Sequence, residues 1–212
     1  MATTESGHAP NRCYKDQDGH FHLNGSTFYT DESGGALTAA ELANIALGQT
    51  IASGAGVGIT GGTGTVFKSS IQKVGDLFIT RILLDLTGLA SSTTDLDVIG
   101  VAGGGCHLGQ ITAAQNGTVY GIRMTCLEAP AGGVTDIDLY SADESSLAFD
   151  SAISAATGEV ALITAGGAWA ATTTRGNTDV PVANQYLYLT GGAGGTAATY
   201  TAGKFLIEMF GY

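Results

Sequence analysis

From about Thr63 to Tyr212 the chain repeats one pattern: a few apolar residues, then a glycine or a pair of them, at intervals of roughly ten residues. Such spacing leaves no room for helices between strands. It fits short strands joined by tight turns, because glycine alone adopts turn conformations of either hand at no steric cost. There are 33 glycines among 212 residues, about twice the roughly 7% of average usage. Here they punctuate apolar runs and do not form a low-complexity tract. The reading is an all-β fold, a jelly-roll-like antiparallel β-sandwich with an N-terminal arm and one short helix.

Charge narrows the function classes. Net charge is −11, with eight Lys and Arg residues scattered singly, and from Met124 to Thr174 every charged residue is an acid. A nucleic-acid binder needs a basic patch to neutralise phosphates, so no nucleic-acid partner is expected. No window is long and apolar enough for a membrane helix, and Met1 to Asp18 lacks the apolar stretch of a signal peptide. Cys13, Cys106 and Cys126 make an odd count without CxxC spacing, which does not indicate a disulfide framework. Cys126, alternating with Tyr120, Ile122 and Met124, reads as a small buried hydrophobe.

Three segments are expected. Residues 1–35 hold His8, His20 and His22, Cys13, and the aromatics Tyr14, Phe21, Phe28 and Tyr29. Asn24-Gly25 predicts a hairpin of Gly19–Leu23 with Ser26–Thr30, in a docking arm with little core of its own. Residues 36–62 hold the short helix and a glycine-rich connector. In the helix, Thr38 and Glu41 form a capping box, Leu42 and Ile45 share a face, and Gly48 stands at the C-cap. Residues 63–212 form the β domain. Its expected strands are Asp76–Leu86, Val98–Ile99, Leu108–Ile111, Val119–Leu127, Val134–Tyr140, Leu147–Ile153, Glu159–Thr164, Tyr186–Thr190 and Lys204–Phe210. Asn116-Gly117 predicts a second hairpin turn.

Searches for chemistry return little. Gly56-Val57-Gly58-Ile59-Thr60-Gly61 satisfies G-x-G-x-x-G, but the fingerprint needs a strand before it and a helix after it, the reverse of the order expected here. His107 beside Cys106 is no nucleophile–base pair, since neighbours on a strand point to opposite faces. Cys13, His20 and His22 fall short of a zinc site in ligand count. Asp16-Gln-Asp-Gly19 stops short of a calcium loop. Asp136 and Asp138 share a strand face and read first as a solvated edge, with a lone calcium ion as the lesser alternative. No catalytic residue, cofactor or metal site is assigned, and the chain is expected not to be an enzyme.

Asp95-Leu-Asp-Val-Ile-Gly100, Cys106-His-Leu-Gly-Gln-Ile-Thr112, Asn116-Gly-Thr-Val-Tyr-Gly-Ile-Arg-Met-Thr-Cys126 and Asp136-Ile-Asp-Leu-Tyr-Ser141 occur in order. With them, the span from about residue 64 to 212 resembles small virion structural proteins of tailed phages of aquatic bacteria. The resemblance implies a capsid decoration (cement) protein on the virion surface. It also implies a major capsid protein lattice as partner and a homo-oligomer, with a trimer favoured. Contact residues expected outside the matched span are Tyr14, Phe21, Phe28, Tyr29, Leu42 and Ile45. Two other classes compete. One is a head-fibre, receptor-binding or carbohydrate-binding module using Trp169, Tyr186, Tyr188 and Tyr200. The other is an extracellular filament subunit whose arm completes a neighbour's sheet.

Overall fold

The computed structural model describes residues 13–15, 21–23, 26–28, 54–193 and 195–212. The chain divides into two compact units, Met1–Leu47 and Gly48–Tyr212. In the first, β1 (Cys13–Lys15), β2 (Phe21–Leu23) and β3 (Ser26–Phe28) form an antiparallel sheet in that order. Leu23 is registered opposite Ser26, the two-residue spacing that Asn24-Gly25 predicts. The expected helix over residues 38–47 lies outside the described residues.

The second unit is mostly antiparallel sheet. Its main sheet has the order β10-β7-β13-β5-β4, built from β4 (Val66–Val74), β5 (Leu77–Asp85), β7 (Val119–Ala131), β10 (Thr174–Gly176) and β13 (Ala202–Gly211). A second sheet places β8 (Ile137–Ala142) between β11 (Tyr186–Gly191) and β9 (Val160–Ile163). The two-residue strands β6 (Ala90–Ser91) and β12 (Ala198–Thr199) pair separately. On its β11 side the second sheet is extended by single bridges, Val98 to Thr190 and Gln110 to Tyr186. The Ile99 and Leu108 amides donate to the Leu189 and Leu187 carbonyls.

Alternation sets the core. Across the main sheet, register lines up Ile71, Thr80, Met209 and Ile122, then Ser69, Ile82, Ile207 and Met124, then Phe67, Leu84, Phe205 and Cys126. Most of these are buried and join Ile137, Leu139, Leu187 and Leu189 of the second sheet in one hydrophobic cluster. Tyr120 departs from the alternation and is 56% exposed. The register shifts between Phe210 and Gly211, opposite it, and an extra residue there turns every side chain beyond it to the other face.

Four expected elements do not form: Val98–Ile99 and Leu108–Ile111 supply only isolated bridges, and two others take different shapes. Asn116-Gly117 closes no hairpin: Ala113–Asn116 is a helical turn capped by the Thr112 side chain, with Gly117 at φ 66° as its C-cap. Asn116 is buried and donates Nδ2 to Thr80 Oγ1 at 2.8 Å, while its Oδ1 accepts from the Thr112 amide at 2.9 Å. These side-chain bonds hold the segment in a conformation the local turn rule does not anticipate. Leu147–Ile153 makes no strand, and Ile153–Ala155 is a 3-10 turn tied to Leu96 by the Ile153 amide.

Candidate interaction surface

The main sheet's other face carries the unit's basic charge. Register places Asp85, Lys204 and Glu128 in one row, and Lys68, Leu83, Leu206, Thr125 and Thr174 in the next. Arg81, Glu208 and Arg123 then form a third, with Ile79 and Phe210 beyond them. Of the six Lys and Arg residues in the second unit, Lys68, Arg81, Arg123 and Lys204 share this face. Lys73 and Arg175 belong to the opposite parity and lie over the Phe78 and Trp169 rings.

Glu208 organises the charged rows. It is 6% exposed and accepts from Arg123 Nε at 2.6 Å and Arg81 Nε at 3.2 Å, while Arg81 also donates to Gln72. Lys204 bridges Asp85 at 3.3 Å and contacts Glu128. The Arg123 hydrogen bond holds the Glu208 carboxyl below its usual value against the opposing effect of burial, with Arg81 adding to it. A carboxyl depressed in the folded state contributes stability above its unfolded value and loses it as pH falls through the folded one. Glu208→Gln is therefore expected to be destabilising at neutral pH by about 1 kcal/mol, a small figure because both arginines are partly solvated. The difference should close as pH drops below about 4, measured by urea unfolding across pH.

Apolar side chains fill the spaces between the charges. Leu83 is 37% exposed, Leu77 and Val74 more so, and Tyr120 lies 6.4 Å from the Phe210 ring and 6.1 Å from Tyr212. Arg123 sits over Phe210 at 5.5 Å. Beside this face, β4 is an edge strand of nine residues, with one side of its backbone unpaired among the described residues.

All six predicted contact residues belong to the first unit. Phe21 is registered opposite Phe28, and Tyr14 opposite His22. Tyr29, Leu42 and Ile45 lie outside the described residues. Cys13 is registered opposite Leu23, and His8 and His20 lie outside the described residues. Among the described residues no group of three or more His, Cys, Asp or Glu could hold a metal ion, and no helix is long and apolar enough to cross a membrane.

Aromatics expected to contact a ligand are core instead. Trp169, Tyr188 and Tyr200 are 3% exposed or less. Their polar atoms are satisfied internally: Trp169 Nε1 by the Ile137 carbonyl, Tyr200 by Val134 and Tyr188 by Glu144. Burial pushes the Cys106 thiol up to about 11, the opposite of what a nucleophile requires. His107 packs edge-on against Tyr186 at 5.0 Å, and burial lowers its pKa. The G-x-G-x-x-G run supplies a helical turn, Val57–Thr60, whose Ile59 is fully buried. Asp136 and Asp138 are 8% and 6% exposed, which overturns the solvated-edge reading.

Neither protein-family models, nor curated proteins, nor solved structures yield a match to this chain.

Proposed function

We propose that the protein is a non-enzymatic virion structural protein, a capsid decoration protein that binds and stabilises a phage head lattice as a closed homo-oligomer. In this reading the second unit is a jelly-roll-like sandwich, and the first unit is the docking arm. One observation carries the contact role: a chain of net charge −11 places four of its basic residues, interleaved with exposed Leu83, Leu77 and Tyr120, on one sheet face. Elsewhere, two acidic copies approaching one another repel. On this face Arg81, Arg123 and Lys204 are paired with acids and apolar area is open to burial, which is what a lattice contact needs. Closed three-fold symmetry suits a capsid's local axes.

Sedimentation analysis and negative-stain imaging of the full chain, alone and mixed with empty heads of tailed phages of aquatic bacteria, test the proposal. The wild type should form a closed oligomer and decorate particles. Leu83→Glu should change stability by no more than about 0.5 kcal/mol yet abolish both behaviours. A strictly monomeric wild type that never decorates a particle sinks the reading.

The β4 edge favours a second reading, a self-assembling filament subunit that receives a neighbour's strand. Deleting residues 1–30 would then abolish polymer and leave a folded monomer. The carbohydrate-binding alternative loses support, because three of its four aromatics are buried.

A further inference from the structure

On the second sheet, Thr190 of β11 stands directly opposite Asp138 of β8, so their side chains share one face. Just beyond the ends of these two strands, Gly192 donates its amide to the Asp136 carbonyl at 2.8 Å. The Asp136 carboxylate lies so close over Gly192 that a Cβ there would come within 2.6 Å of Asp136 Cγ. Two carboxylates and a hydroxyl are thus gathered beside a bare stretch of backbone.

All three are withdrawn from solvent: Asp136 is 8% exposed, Asp138 6% and Thr190 fully buried. Asp138 Oδ1 accepts from the Ala165 amide at 2.5 Å. Thr190 Oγ1 and Asp136 Oδ1 have no hydrogen-bond partner among the described residues. Buried polar atoms are nearly always paired, and an orphaned one costs free energy. Here two orphans lie on one face next to a second acid, where like charges make the deficit worse. Burial first, and then the neighbouring Asp136 charge, raise the Asp138 pKa, with the Ala165 amide and Arg175 acting against them.

We propose that Asp136, Asp138 and Thr190 bind a divalent cation with a preference for oxygen ligands, calcium above others. The donors are all oxygens, two of them carboxylates, which excludes a soft-metal site and suits a hard cation. Calcium accepts flexible, irregular oxygen geometry, with water completing the shell around the three protein oxygens, whereas magnesium demands a near-ideal octahedron. The ion satisfies the Thr190 hydroxyl oxygen and the free Asp136 oxygen together and neutralises the acid pair. It ties β8, and Asp136 just ahead of it, to β11, and so locks one end of that strand pair. A site assembled from two carboxylates and a hydroxyl contains fewer than three acid, His or Cys ligands, so it is compatible with the absence of any larger ligand cluster among the described residues.

Calorimetric titration of the metal-stripped full chain with calcium chloride, at fixed ionic strength, is the test. One ion per chain should bind with a Kd of about 10⁻⁴ M, the range of weak all-oxygen sites, and the thermal midpoint should rise with calcium. Asp136→Asn should weaken binding at least about tenfold, and Thr190→Val several-fold. Asp76→Asn, which removes an exposed charge in the β4–β5 turn, should leave it unchanged. Absence of binding and of any midpoint shift up to about 10 mM calcium overturns the proposal and leaves water or a shared proton as the occupant. So does an equal response in Asp76→Asn and Asp136→Asn, which would mark general screening of an acidic chain. Should Asp136→Asn fail to fold, the wild-type and Thr190→Val titrations still decide.

Discussion

Trp169→Ala should lower the unfolding free energy by about 4 kcal/mol, within the usual range for deleting a buried aromatic. The ring meets Phe205 edge-on at 5.3 Å, and Arg175 caps its face at 4.3 Å. Its Nε1 donates to the Ile137 carbonyl at 2.8 Å, so the side chain joins the main sheet's core row to the backbone where β8 begins. Alanine leaves a cavity beside Phe205, an unpaired Ile137 carbonyl, and an Arg175 guanidinium without its ring. Urea unfolding followed by far-UV circular dichroism reads the loss, since the variant has no tryptophan left to report. In a unit of this size the thermal midpoint should fall by roughly 10 °C. A loss below about 0.5 kcal/mol, the scale of surface substitutions, would mean that the ring does not belong to the core. If Trp169 were a sugar platform, the same substitution would spare stability and abolish glycan binding, so one variant separates the two roles.

How far such a side chain can be read from sequence depends on what surrounds it. Strands β5, β7 and β13 are legible because each alternates against the core: Ile82 and Leu84, Met124 and Cys126, Phe205 and Ile207. Strand β4 is missed because Ser69-Ser70 interrupts its apolar alternation, although β5 pairs with it along its whole length. Trp169 reads as an exposed loop residue because glycine and alanine flank it, while the groups that cover it, Phe205 and Arg175, are supplied from elsewhere in the chain. Asp136 and Asp138 show the same limit more sharply. Their spacing places them on one face, but Gly192, Ala165 and Thr190, which enclose them, come from later segments. Local pattern reports periodicity, whereas burial of a polar group is decided by partners distant in sequence.

Gly58→Ala carries that lesson into the one motif that imitates a nucleotide site, and it should cost about 3 kcal/mol, the upper part of the range for overpacking a core. A Cβ at Gly58 would come to 2.2 Å from Cys106 Sγ and 2.8 Å from the Gly104 carbonyl oxygen. Neither can retreat easily. Cys106 is fully buried, with Gly100 so close that a Cβ there would come within 2.3 Å of the same sulfur. The Gly58 backbone is held as well: its amide donates to the Gly105 carbonyl at 2.9 Å, and its carbonyl accepts from the Val101 amide at 2.8 Å. The glycine therefore serves close backbone packing. Adding Cys106→Ala removes the sulfur that the new methyl would strike, so the double variant should be more stable than the two single losses sum to, with a coupling of about 1–2 kcal/mol. Each variant is measured by urea unfolding with and without millimolar NAD. Stability should be indifferent to the dinucleotide throughout. A midpoint raised by NAD in the wild type but not in Gly58→Ala would overturn the packing account and return the motif to phosphate recognition.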